Sequence, residues 1–124
     1  MQVKECVLIE PYTCKEDETI AEVARKLRKT TLRHIFVVNA ASHPVGVISV
    51  IDINNRVVAE EKDPKTLKAK DIMTKPVEIF KIEDDVKTVA EEMMKNNRAM
   101  NPVVKDDKMV GIITLSEALR GLEK

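Results

Sequence analysis

Apolar positions along the chain follow two rhythms, one of helical and one of strand period, and the two alternate twice. Ile20, Val23, Ala24 and Leu27 fall at i, i+3, i+4 and i+7, with Glu22, Arg25, Lys26 and Lys29 on the other side. That spacing predicts an amphipathic helix over about 18–30, preceded by a short apolar segment, 7–14, that Glu10 and Pro11 interrupt. Ile35-Phe36-Val37-Val38 is too short and too β-rich for a helix, and Asn39 to Pro44 is turn-forming, so Val45 to Val50 should return as the second strand of a hairpin. A helix is expected from near Asp52, carrying Ile53, Val57 and Val58 and stopping before Asp63-Pro64.

The plan then recurs. Val77-Glu78-Ile79-Phe80 reads as a strand, Asp84 or Asp85 opens a helix to Asn96, Pro102-Val103-Val104 and Met109 to Thr114 form a hairpin through Asp106-Asp107-Lys108, and 116–122 is a last helix. The repetition is sharpest at Gly46-Val47-Ile48-Ser49-Val50-Ile51-Asp52-Ile53 and Gly111-Ile112-Ile113-Thr114-Leu115-Ser116-Glu117-Ala118. Upstream, Ile20, Val23, Ala24 and Leu27 align without gaps on Val86, Val89, Ala90 and Met93, and Val37-Val38 on Val103-Val104. One residue is missing from the second copy between those strands and Gly111, which places the deletion in the hairpin turn.

The expected fold is therefore mixed α/β (α+β): two pseudo-symmetric strand-helix-strand-strand-helix repeats, 1–62 and 71–124, joined by a charged linker at 63–70. Neither repeat alone can cover both faces of so small a sheet, so the two should pack as one module.

Twenty-one basic residues balance twenty-one acidic ones, which removes any general pull toward nucleic acid or anionic lipid. Lys65, Lys68 and Lys70 could form a local basic patch. No apolar run nears the ~18 residues of a membrane span, and residues 1–10 lack a signal peptide's pattern, so a cytoplasmic protein is expected. Cys6 and Cys14 have no metal-ligand spacing, and Cys14, aligned with Phe80, reads as a small buried strand residue. Nothing matches a nucleophile elbow, a metal motif or a phosphate loop, so no catalytic residue is assigned.

The repeated unit with Gly-h-h-[Ser/Thr]-x-x-[Asp/Glu]-h at its end, where h is apolar, resembles the cystathionine-β-synthase (CBS) domain family. Asp71-Ile72-Met73-Thr74-Lys75-Pro76-Val77 is similar to that family's usual repeat start, and Arg33-His34-Ile35-Phe36-Val37-Val38 to its second strand, with Phe36 replacing a proline. Two tandem copies resemble the family's paired unit, the Bateman module. The resemblance implies a regulatory module that takes AMP, ADP, ATP or an S-adenosylmethionine or methylthioadenosine type of ligand in two clefts. It also implies homodimers paired through helices and a separate effector protein.

By that resemblance the motif carboxylate, Asp52 or Glu117, holds the ribose diol, chemistry suited to an acceptor-only pair of oxygens. Ser49 or Thr114 and the following N–H groups would face a phosphate, and the adenine would lie against Pro11 and Tyr12 in one repeat and Val77 in the other. Arg33 and His34 would serve the Glu117 cleft. The Asp52 cleft meets Ala99 and Met100 where cations are usual, unless Arg98 reaches in. The residues alone leave another reading open: Ser49-x-x-Asp52 and Thr114-x-x-Glu117 both fit helix capping boxes, which favour Glu at the last position. Arg33 and His34 equally suit a helix C-terminus, where the dipole favours cations. Degenerate clefts would make the chain a homodimeric scaffold instead of a sensor.

Overall fold

In the computed structural model, which describes residues 1–123, the chain divides into two compact units. One is Tyr12–Val77; the other joins Met1–Pro11 to the chain from Glu78 onward. The architecture is the mixed α+β one expected, each unit holding a three-stranded sheet and helices.

In the unit Tyr12–Val77, strand β1 (Thr13–Lys15) lies parallel to β2 (His34–Val38), which pairs antiparallel with β3 (Pro44–Ser49). Helix α1 (Ile20–Arg28) begins at Thr19, whose hydroxyl accepts from Glu22 N while Glu22 Oε1 accepts from Thr19 N at 3.2 Å. The Thr19 amide and hydroxyl hold the Glu22 carboxyl below its usual range. Ile20, Val23 and Leu27 enter the core with Cys14, Ile35, Val37 and Ile48 as their period predicts, although Ala24 is exposed.

The helix expected from Asp52 is instead a four-residue α2 (Val50–Ile53) that widens into a π-helical turn, Asn54–Val58. The wider turn buries Val57 and leaves Val58 65% exposed. Residues 63–70 lie along α1: Ile20 N donates to Leu67 O and Ala21 N to Pro64 O, and the short α3 (Ala69–Ile72) buries Ala69 and Ile72 in the same core.

In the other unit the first residues run beside the later ones. Val3 N donates to Asp84 O, Lys4 N to Ile82 O, and Val86 N to Met1 O, with Val3 fully buried. The sheet is β4 (Phe80–Lys81), β5 (Met100–Lys105) and β6 (Lys108–Thr114), paired like the first, and even the irregularity recurs, between Val37 and Val38 and between Val103 and Val104. The strand expected over 77–80 is confined to Phe80–Lys81. The Asn101 side-chain amide donates to Glu78 O at 3.0 Å, so a side chain takes the carbonyl that a longer ladder would use.

The missing residue falls in the turn, as predicted. Asp106 and Asp107 close β5 to β6 alone, both with positive φ (51° and 64°), whereas the first hairpin closes through the Asn39 N to His43 O bond. His43 is half-buried there. Helix α4 (Val86–Lys95) buries Val86, Val89, Ala90 and Met93, leaves Met94 half-exposed, and ends with Asn97 at φ 57°, its N–H on Met94 O and that of Arg98 on Met93 O. Helix α5 (Leu115–Gly121) follows β6 directly. Among the described residues no helix is long and apolar enough to cross a membrane.

The glycines that head the two motifs have a steric reason. Thr74 bridges to Val47 in one unit and Ile9 to Ile112 in the other, so a lead-in segment crosses each third strand. A Cβ at Gly46 would lie 2.6 Å from Met73 Sδ, and one at Gly111 would lie 2.9 Å from Leu8 Cβ.

Candidate functional site

The Gly-h-h-hydroxyl strand delivers its hydroxyl to the first position of a helix in both units. Ser49 Oγ accepts from Asp52 N at 3.0 Å, and Asp52 Oδ2 accepts from Ser49 N at 2.8 Å, which closes a capping box. The capping and ligand readings of Asp52 are therefore not exclusive, because a carboxylate has two oxygens. The other, Oδ1, faces Arg56 Nη2 at 3.7 Å, beyond hydrogen-bond distance, and the side chain keeps 18% exposure.

Thr114 Oγ1 accepts from Glu117 N at 3.2 Å, matching the Ser49 hydroxyl. Glu117, the residue better suited by type to a capping box, sends Oε2 to Val7 N at 2.9 Å, while Oε1 takes both Nε and Nη2 of Arg120. Both of its oxygens are engaged with this chain's own groups.

Two predicted residues, Arg33 and His34, lie beside the Ser49 helix start. His34 stands opposite Ser49 across the β2–β3 ladder, and Arg33 O accepts from Val50 N, so this backbone pins the helix start while both side chains stay exposed. Tyr12, just before β1, and Val77, at the other end of the unit, are half-buried. In the other unit Met100 stands opposite Thr114, and Leu115 N donates to Ala99 O, so Ala99 and Met100 occupy the same stations as Arg33 and His34. Pro11 is exposed. Arg98 is fixed by the end of α4, its side chain exposed.

Arg56 is the site residue that the sequence reading missed. Its i, i+4 spacing from Asp52 is the signal that could have found it. No group of three or more His, Cys, Asp or Glu residues is placed to hold a metal ion among the described residues. Cys14 is buried as predicted, and burial, reinforced by the charge of Glu18, pushes its thiol up to about 12.

Two structurally repeated α+β units, each turning a hydroxyl and a carboxylate into a helix start, define a tandem-repeat module. A family model for the CBS domain matches residues 3–59 and again 69–124, and the chain belongs to that family. Tandem CBS modules are generally regulatory. An uncharacterized protein of Methanopyrus kandleri is 31% identical over 104 residues, 83% of this chain and 53% of its own length. The inosine-5'-monophosphate dehydrogenase of Methanocaldococcus jannaschii is 32% identical over 118 residues, 94% of this chain but 22% of the enzyme. The chain thus spans about half, or less, of these curated relatives. Among solved structures, a CBS domain protein from Pyrobaculum aerophilum complexed with AMP superposes with a TM-score of 0.78 at 26% identity, covering 99% of this chain and 98% of that one.

Proposed function

We propose that the chain is a ligand-sensing regulatory module that binds an adenosine-containing ligand, AMP, ADP, ATP or an S-adenosylmethionine type, through Asp52. The observation that carries this reading is the division of labour in one carboxylate: Oδ2 closes the helix cap, while Oδ1 lies 3.7 Å from Arg56 Nη2 and has no hydrogen bond among the described residues. An acceptor held in this way suits a ribose diol, whose hydroxyls both donate. The AMP complex of the Pyrobaculum aerophilum relative supports the ligand class. Ser49 and Tyr12, in the same unit, are the further contacts proposed for this ligand; the start at Thr114 and Glu117 is the weaker candidate because Glu117 is engaged.

Thermal melts with AMP, ATP, S-adenosylmethionine and methylthioadenosine test this, because a ligand at a hundredfold excess over Kd adds about 2.7 kcal/mol to the native state. A shift with at least one of them that disappears in Asp52→Ala is the expected result. No shift with any of them at millimolar concentration would sink the reading.

A second reading, a homodimeric scaffold, is favoured by apolar side chains on and beside the α2 helix start: Val50 is 49%, Ile51 68% and Val58 65% exposed. It predicts a dimer in light scattering whose melting ignores all four ligands.

A further inference from the structure

Arg56 makes two contacts that pull in different directions. Nη1 donates to Ile72 O at 2.5 Å, and Nη2 faces Asp52 Oδ1 at 3.7 Å, so one planar fork spans the helix start and the lead-in segment. With the Arg56 side chain 45% exposed, its charge is screened and the ion pair itself is weak. The geometry is what matters: the Ile72 carbonyl fixes the fork, and the fork limits how the Asp52 carboxylate can turn.

The other unit shows what this linkage replaces. Ile72 precedes Met73, which packs over Gly46, just as Val7 precedes Leu8, which packs over Gly111. There the carboxylate of Glu117 reaches Val7 N directly. Asp52 is one methylene shorter, and Arg56 completes the connection to Ile72. A carboxylate joined through a second side chain keeps an oxygen in play, whereas one joined directly gives it up.

We propose that Arg56 is the positioning residue of the Asp52 site: it orients the carboxylate so that Oδ1 meets a ribose diol, without touching the ligand itself. This rests on the adenosine reading above and adds to it a residue that controls how well the diol is read.

The test compares wild type with Arg56→Gln, by calorimetry or NMR titration, for adenosine, AMP and 2′,3′-dideoxyadenosine. Positioning predicts that adenosine and AMP weaken by the same factor, about tenfold, while the dideoxy analogue, which has no diol to orient, binds both proteins alike. A merely structural contribution would weaken all three together and overturn the proposal. A greater loss for AMP than for adenosine would place Arg56 on the phosphate, and unchanged adenosine affinity would leave it no part in the site; either result overturns it. Should Arg56→Gln fail to fold, Arg56→Lys keeps the charge and alkyl stem but not the fork, and the same pattern is expected. Wild type that binds neither adenosine nor AMP overturns the adenosine reading itself, an outcome separate from the others because they all require wild-type binding.

Discussion

The helix starts at Ser49 and Thr114 share their strand, their hydroxyl cap and their place beneath a crossing lead-in segment, yet their carboxylates have opposite fates. Asp52 turns back onto the Ser49 amide and leaves Oδ1 facing Arg56; Glu117 extends to Val7 and Arg120 and has both oxygens occupied. A single methylene thus separates a carboxylate that caps its own helix and leaves Oδ1 facing a guanidinium from one that ties down a distant segment. The lesson is that the motif specifies a carboxylate at a helix start, while reach decides which groups it satisfies.

If the two starts differ in this way, perturbing the ties should hurt the second unit more. The largest effect is expected at the glycines. A Cβ at Gly111 meets Leu8 Cβ at 2.9 Å and Ile9 O at 3.3 Å, atoms that move only with the backbone, whereas at Gly46 the nearest atom is the thioether of a flexible Met73. Gly111→Ala should cost about 2 kcal/mol and Gly46→Ala about 1 kcal/mol in urea unfolding, so equal costs would contradict the asymmetry.

Next comes Glu117→Gln, which weakens the contacts to Val7 and Arg120. About 1 kcal/mol of stability should be lost with ligand-induced melting shifts retained, whereas Asp52→Ala should abolish those shifts. If Glu117→Gln removed the ligand shift, the two carboxylates would be exchanged in role.

The smallest effect appears only in alkali, at the position where the repeats differ as Cys14 and Phe80. The folded thiol titrates near 12 against 9.0 for an unperturbed one, so the unfolded chain releases its proton first. The Cys14 contribution is thus constant below about pH 9 and declines as pH rises toward 12. Urea midpoints measured across that window should fall more steeply for wild type than for Cys14→Ala; parallel slopes would refute the buried-thiol account.

Much of this could be read from residue order. Helical spacing named Ile20, Val23 and Leu27, and the gap in the repeat marked the hairpin turn, because both are local patterns. The strand at Val77 was overextended because the competing donor, Asn101, lies far along the chain. Asn101 also shows how unevenly the repeats are finished: it stands where the first unit has the core residue Ile35, and its Oδ1 is buried without a hydrogen-bond partner. The Val7 to Glu117 bond was equally hidden, since no pattern of hydrophobic period pairs a backbone amide with a carboxylate more than a hundred residues later. Arg56 was within reach of the helix-pair rule, but the π-helical turn that carries it has no comparably local sign.

The packing of Met1–Pro11 against the later half of the chain also sets an order of events during synthesis. Residues 12–77 have their core partners among themselves and can complete their unit as soon as they leave the ribosome. Residues 1–11 emerge earlier still, but Ile112, Gly111 and Glu117, against which they lie, are made up to 110 residues later. The loop they close is long, so that closure is slow and falls at the end of folding. The half of the molecule that carries Asp52 is therefore finished first, and the half that ties down Glu117 is sealed by a segment made well before its partners.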